Sequence, residues 1–265
     1  MTAQPARRGT ALVTGASGGI GLELARACAG DGWDVVLVAR GESALRAAAS
    51  ELGRSGGAAR YIVADLARPE APAELVARLE ADGTRVDALV NNAGFGLLGS
   101  FVTTDWARER EMIQLNVTAL TELTKRLVPG MVARGRGRVL NVASTAAFVP
   151  GPFMAVYYAS KAYVLSLSQA LANEVRGTGV TVTALCPGPV RTRFAETAGA
   201  GGSNLFQGPL VMDAERVARA GYAAMMRGRA VVVPGLLNRI LTQGTRLLPR
   251  ATLAAIARRV AEEKR

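Results

Sequence analysis

The sequence predicts an α/β fold, a parallel sheet covered by helices on both faces. Three observations carry that prediction. Short apolar segments alternate with amphipathic helical segments from residue 10 to residue 233. The strand segments are near-continuous apolar runs, as burial on both faces requires. A glycine-rich turn, Gly15-Ala16-Ser17-Gly18-Gly19-Ile20-Gly21, follows the first strand directly.

Residues 1–9 read as a short, disordered basic tail, and Thr10–Val13 as the first strand. Leu22–Ala29 is a helix, ended by Gly30 and Gly32. Strand, glycine turn and helix together form a setting for phosphate. Glycines reach positive φ, their N–H groups approach an anion closely, and the helix dipole favours negative charge. The spacing is G-x-x-x-G-x-G through Gly15, Gly19 and Gly21. Leu24 stands where the G-x-G-x-x-G pattern has its last glycine. Asp34–Ala39 is the second strand. An acidic residue at its end would hold a ribose 2′-hydroxyl. The strand instead ends at Ala39 and Arg40, and the planar fork of Arg40 suits a 2′-phosphate, which favours NADP(H).

Ser43–Leu52 is an alanine-rich helix, and Tyr61–Val63 a third strand that runs into Asp65 and Leu66. Pro69–Ala81 is a helix with Pro69 in its first turn. Val86–Val90 is the fourth strand, ending in Asn91-Asn92-Ala93-Gly94. In a parallel sheet ligands sit beyond the C-terminal strand ends, where these loops gather. Residues 105–134 form a long helical region with Asn116 inside it, and asparagine is a modest helix former. Arg138–Val142 is the fifth strand and delivers Ser144 to the same edge. Val156–Arg176 is a helix, and Val180–Leu185 the sixth strand, followed by Cys186-Pro187-Gly188-Pro189-Val190-Arg191-Thr192. Residues 193–210 are rich in glycine, alanine and serine, and are expected to form a mobile loop over the site. Asp213–Arg227 is a helix with Asp213 as N-cap, and Ala230–Val233 a seventh strand. Residues 235–265 are a helical tail of leucines and arginines. The preferred reading is a tail packed on its own domain. Peripheral contact with an anionic membrane is the second reading. No internal repeat and no linker divides the chain.

Composition narrows the chemistry. The 265 residues are 49% hydrophobic and include no histidine. That excludes a Ser-His triad and any His-ligated metal. Cys28 and Cys186 fit no metal spacing, so no metal site is expected. The net charge is +11, but arginines are spread along the chain without a basic-aromatic cluster, which argues against nucleic acid. No apolar run is long enough to span a bilayer, and the N-terminus has no signal core, so a cytoplasmic location is expected.

Three reactive groups stand close together in Val142–Lys161: Ser144, Tyr157 and Lys161. Tyr157 and Lys161, four residues apart, share one helix face. Tyr158 is rotated by about 100° and reads as a packing or pocket residue. A hydroxyl, a phenol and an ammonium aimed at one carbonyl suggest proton transfer. As an ordinary helix pair, an N-cap and a turn residue, these groups would need to coincide at one sheet edge by chance. The segment between them offers Ala146, Phe148, Val149, Pro152, Phe153, Met154 and Val156 as pocket wall. None is charged, which points to an apolar carbonyl substrate such as a 3-oxoacyl chain or a steroid-like ketone.

The motifs Thr14-Gly15-x-x-x-Gly19-x-Gly21, Asp65-Leu66, Asn91-Asn92-Ala93-Gly94, Asn116, Ser144, Tyr157-x-x-x-Lys161 and Pro187-Gly188 resemble those of the short-chain dehydrogenase/reductase family, in order and separation. The resemblance covers roughly residues 10–233. It implies a single Rossmann-type, doubly wound domain over 10–234, with a seven-stranded parallel sheet. It implies interconversion of a ketone and a secondary alcohol with NADP(H), nearest to ketoreductases with lipid-like substrates. In that family's terms Tyr157 is the general acid/base, and Lys161 lowers its pKa and holds the nicotinamide ribose. Ser144 holds the carbonyl oxygen, and Asn116 a water for proton relay. Cofactor contacts fall to Gly15, Ser17, Gly19, Ile20, Gly21, Arg40, Asp65, Leu66, Asn92, Ala93, Gly94, Tyr157, Lys161, Pro187, Gly188, Val190 and Thr192. The family commonly assembles as dimers or tetramers through the helices at 105–134 and 156–176. A non-catalytic NADP-binding regulator and a lipid-associated membrane-surface protein are the alternatives on the same fold.

Overall fold

The computed structural model describes residues 8–54, 58–199 and 210–262. Most of the expected basic tail and residues 200–209 of the expected loop lie outside these residues, as do 55–57 and 263–265.

The chain runs β1 (Gly9–Thr14), α1 (Gly19–Gly30), β2 (Trp33–Ala39), α2 (Glu42–Gly53), β3 (Ala59–Val63), α3 (Ala71–Ala81) and β4 (Val86–Asn91). A continuous helical rod follows: α4 (Trp106–Ile113), a π-helical turn (Gln114–Ala119) and α5 (Leu120–Ala133). Next come β5 (Gly137–Val142), a 3₁₀ turn (Thr145–Phe148), α6 (Ala155–Glu174) and β6 (Val180–Leu185). The remainder is β7 (Val190–Arg191), α7 (Phe194–Thr197), β8 (Met212–Asp213), α8 (Ala214–Met226), β9 (Val231–Val232), α9 (Leu236–Gly244), a 3₁₀ turn (Thr245–Leu247) and α10 (Arg250–Glu262).

Seven strands form one sheet in the order β3-β2-β1-β4-β5-β6-β9, and every pairing is parallel. This is the expected seven-stranded, doubly wound sheet. On one face Leu24, Leu45, Val217 and Met225 of α1, α2 and α8 pack on Val13, Leu37 and Val90. On the other, Leu75, Leu79, Leu123 and Met131 of α3 and α5 pack on Leu12, Leu89 and Val182. Strand order reverses beside β1, between β2 and β4. The crevice of a doubly wound sheet opens at such a switch point.

Three local expectations are corrected. Helix α3 begins at Ala71, so Pro69 precedes it and Pro72 sits in its first turn. The reason is a turn built by Asp65, whose Oδ1 accepts from Ala67 N at 3.1 Å and whose carbonyl accepts from Arg68 N at 3.0 Å. Asp213 precedes α8 but makes no cap bond; its carboxylate pairs with Arg191 at 2.9 Å. Phe194–Thr197, expected as loop, is a helical turn, and β7 pairs with β8 in a two-stranded sheet that the sequence reading lacked. The tail, expected as helical, is two helices joined by a 3₁₀ turn.

Candidate active site

Thr14 and Asn92 bind the ends of β1 and β4 together. The Thr14 hydroxyl accepts from Asn92 N and Ala93 N, both at 3.0 Å, and donates to Val90 O at 3.3 Å. The Asn92 amide donates back to Thr14 O at 3.0 Å and Gly15 O at 3.2 Å. This lock holds the glycine turn closely against β4. Gly15 has φ 66°, and a Cβ there would lie 2.7 Å from Asn92 Nδ2. A Cβ on Gly21 would lie 2.4 Å from the same atom, so α1 starts hard against the β4 end. No side chain caps the first N–H groups of α1. A glycine cradle with an uncapped helix start fits a pyrophosphate.

Other expected contact residues line up along the same edge. Ala16 N donates to Val38 O at 3.2 Å, which ties the turn to β2, and Ala64 N to Ala39 O at 2.9 Å, which sets Asp65 beside the β2 end. Arg40 is exposed there, without an ion-pair partner among the described residues. Leu66 and Val190 are buried, while Ser17 and Ile20 are partly buried. Thr192 abuts Gly19, where a Cβ would stand 3.0 Å from Thr192 Cγ2. Pro187 O accepts from Thr145 N at 2.8 Å, and Gly188 is pressed against Asn238 of α9.

Beyond β5, Ser144 adopts extended backbone, and its Oγ accepts from Ala146 N at 3.1 Å, capping the 3₁₀ turn. Helix α6 then brings Tyr157 and Lys161 inward on one face. The Lys161 ammonium donates to Val142 O at 2.9 Å and lies 5.8 Å from the Tyr157 ring centre. A Cβ on Gly94 would lie 2.7 Å from Asn116 Oδ1 and 3.5 Å from Lys161 Nζ, so the three meet in one place. The mid-helix position of Asn116 has a local cause, since it stands in the π-helical turn. Its amide accepts from Phe95 N at 3.1 Å and donates to Phe95 O at 2.9 Å and Ser160 Oγ at 3.1 Å. The side chain thereby pins the segment after β4 to α6.

Burial dominates the electrostatics. It pushes the Tyr157 phenol above its ordinary pKa; the Ser144 hydroxyl opposes this, and Tyr158 adds slightly to it. The resting Tyr157 is therefore a protonated phenol, the form that can donate. Burial lowers the Lys161 pKa from 10.5 to about 8, only partly offset by Cys186. Lys161 thus holds a proton near neutrality without being locked to a carboxylate. Its ammonium is held at Val142 O, and, contrary to expectation, it does not offset the rise that burial gives the Tyr157 phenol.

The wall around Tyr157 is apolar. Phe95, Met112, Ala146 and Met154 bury it, with Leu97, Leu98, Val156 and Tyr158 alongside. Phe194 packs on the tyrosine at 5.5 Å between ring centres. Ala146, Met154 and Val156 were expected wall residues; Phe148 was too, but it packs instead against the cluster of Val164 and Cys186. Phe95, Met112 and Phe194 were not legible as wall. Phe194 sat in a stretch read as loop, and Met112 faced inward on a helix whose facing partner the sequence does not name. Phe153 takes a left-handed conformation, φ 63°, and its carbonyl accepts from Gly99 N at 2.8 Å. Tyr158 lies flat over Gly151, where a Cβ would stand 2.2 Å from its ring.

The chain matches the family model for short chain dehydrogenases over residues 9–201. It is 37% identical over 181 residues to the ketoacyl reductase HetN of a Nostoc species, a match covering 68% of this chain and 63% of that protein. The solved short-chain dehydrogenase of Sphingobium yanoikuyae in complex with NADPH is 37% identical, with a TM-score of 0.81, over 90% of this chain and 94% of that one. The bulky-bulky ketone specific alcohol dehydrogenase of Comamonas testosteroni is 30% identical, with a TM-score of 0.76, over 93% and 97%. Motif, sheet order and relatives agree: the chain belongs to the short-chain dehydrogenase family.

Proposed function

We propose that the protein is an NADP(H)-dependent ketoreductase that interconverts an apolar, lipid-like ketone and its secondary alcohol. One observation carries the reading. Ser144, Tyr157 and Lys161 meet at the switch-point edge beside an apolar wall of Phe95, Met112, Ala146 and Met154. The NADPH complex of the Sphingobium relative and the names of the Nostoc and Comamonas relatives support it. In this reading residues 10–234 are the catalytic domain and 235–265 a tail packed on it. The protein acts in the cytoplasm as a homodimer or homotetramer.

The turn through Gly15, Gly19 and Gly21 would hold the pyrophosphate of NADP(H), with Ser17 and Ile20 beside it. Arg40 would hold the 2′-phosphate, Asp65 and Leu66 the adenine side, and Asn92 to Gly94 with Pro187, Gly188, Val190 and Thr192 the nicotinamide side. When bound, the cofactor supplies or accepts the hydride. Tyr157 donates its phenolic proton to the substrate oxygen as charge develops there. Lys161 stabilises the phenolate that remains, because an ammonium close to a buried anion lowers its pKa. Ser144 donates to the same substrate oxygen and fixes its position. Asn116 holds the Gly94 segment against Lys161, on the path by which a proton returns from solvent.

The test follows NADPH absorbance with carbonyl compounds of graded chain length. Turnover should rise with chain length and vanish in Tyr157→Phe. NADPH binding without turnover on any carbonyl would replace the enzyme reading with a regulatory one. Preference for short, charged keto acids would refute the apolar substrate.

A further inference from the structure

Helix α9 is inside out. Its inward face carries two polar residues four apart, Asn238 and Thr242, at 5% and 4% exposure. Asn238 Nδ2 donates to Pro234 O at 3.2 Å and Thr242 Oγ1 to Asn238 O at 2.9 Å. The outward face carries Leu236, Leu237, Ile240 and Leu241, at 71%, 47%, 58% and 51% exposure. A helix that only covered a core would show the opposite arrangement. Leu247 and Leu248 of the following turn and Ile256 of α10 are exposed as well. Seven of the thirteen large hydrophobic side chains that stand exposed among the described residues fall within 236–256, so exposed apolar side chains concentrate in this one stretch of the chain.

The charge around the stripe identifies what covers it. Residues 235–265 hold seven basic residues against Glu262 and Glu263, a net charge of +5. Arg239, Arg246, Arg250, Arg258 and Arg259 are exposed beside the leucines. A second copy of the chain would bring arginine onto arginine, and a nucleic acid would leave the leucines in water. An anionic bilayer satisfies both sets, with acyl chains for the leucines and headgroup phosphates for the guanidinium groups. Among the described residues no helix is long and apolar enough to cross a membrane, so the contact is one of lying on the surface.

We propose that α9, the 245–249 connection and α10 form a docking face for an anionic lipid bilayer, and that this face hands bilayer-dissolved ketones to the pocket. The face reaches the pocket through a chain of contacts. The Arg258 guanidinium of α10 stacks on Phe153 at 5.4 Å. Phe153 precedes Met154 in the wall around Tyr157, and its carbonyl is bonded to Gly99. Phe101 and Val102, just past Gly99, are exposed at 66% and 87% and extend the apolar rim. The docking half stands on this face alone; the delivery half rests on the ketoreductase reading.

The experiment is flotation of the full chain with phosphatidylcholine vesicles, with and without phosphatidylglycerol, at low and high salt. Binding should require phosphatidylglycerol and weaken with salt. Each arginine near the surface contributes about fivefold to partitioning, so Arg239→Glu with Arg246→Glu should lower it by about 25-fold or more. Leu237→Ser with Ile240→Ser, which leaves charge unchanged, should also release the protein. Both double variants should reduce a water-soluble ketone at the wild-type rate, which shows an intact site, and lose rate on a long-chain ketone held in anionic vesicles. A wild-type chain that does not float, or variants that float like it, overturns the docking. Variants that change the mass in solution without changing flotation also overturn it, and make the face an interface between copies. Flotation as expected with no turnover on any ketone upholds docking and overturns both delivery and the ketoreductase reading.

Discussion

At Lys161 stability and chemistry pull in opposite directions, and the opposition can be measured. The ammonium is 5% exposed, with Val142 O as its hydrogen-bond acceptor. Burial takes its pKa from 10.5 to about 8. Between those values the unfolded chain holds a proton that the folded chain has released. Stability therefore rises as pH climbs through 8, and the gain is complete above 10.5. Integrating this linkage from pH 7 to pH 9.5 gives about 2 kcal/mol. For a chain of this size that corresponds to about 4–8 °C in Tm. Tyr157 and Cys186, raised by burial, titrate in the opposite sense and obscure the raw profile. Lys161→Met removes the lysine proton alone, so the difference between the two profiles isolates it. Urea unfolding of cofactor-free wild type and Lys161→Met at several pH values is the assay. Wild type should gain about 2 kcal/mol on the variant between pH 7 and 9.5. A flat difference, or one that falls with pH, refutes the claim that Lys161 is desolvated. The same variant should lose ketone reduction by about 100-fold or more, as the phenolate loses its cation.

Three further outcomes follow from the geometry. Tyr157→Phe should lower kcat by about 10²- to 10⁴-fold while fluorescence titration shows that NADPH still binds. Arg40→Ala should weaken NADPH by about 10- to 100-fold, as loss of a charge-assisted contact does, and leave NADH within about twofold; equal losses would remove the 2′-phosphate assignment. Gly151→Ala should destabilise the fold by about 1–3 kcal/mol in thermal denaturation, because the added Cβ meets the Tyr158 ring at 2.2 Å and the ring must leave its place.

Much of the sheet is legible in the sequence because buried parallel strands are written as apolar runs with sharp ends. The predicted Val180–Leu185 coincides with β6, and the other central strands differ by one or two residues. What escapes is set by contacts between distant segments. The one-residue widening at Gln114–Ala119 has no local signal, since Asn116 is held there by Phe95 and Ser160. Phe194–Thr197 is too short for a periodicity to show. Helix α9 escapes for another reason. Periodicity reveals that a helix has an apolar face but not which way it points. Here Gly188 has no side chain, and that gap accepts Asn238 and turns the leucines outward.

The same distinction separates the chemistry from the substrate. Behind the reacting groups, polar side chains form a buried relay: Ser168 accepts from Asn141 at 3.0 Å, Asn141 from Asn91 at 2.9 Å, and Asn91 also donates to Thr124 at 3.0 Å. It joins α6, β5, β4 and α5, the elements that carry or flank Lys161 and Asn116. Leaving one member of such a relay unpaired costs about 1–3 kcal/mol, so its geometry tolerates little change. The opposite wall is held differently. Met154, Phe194 and Leu98 pack in one apolar cluster, with a few backbone hydrogen bonds such as Leu98 N to Ala198 O at 2.9 Å. Apolar walls accept volume-conserving exchange at less than about 1.5 kcal/mol. In the proposed reading, a rigid polar back with an adaptable apolar front would let one proton-transfer apparatus serve ketones of different shape. The candidate reacting residues carry a motif spacing, whereas no motif fixes the side chains of the wall.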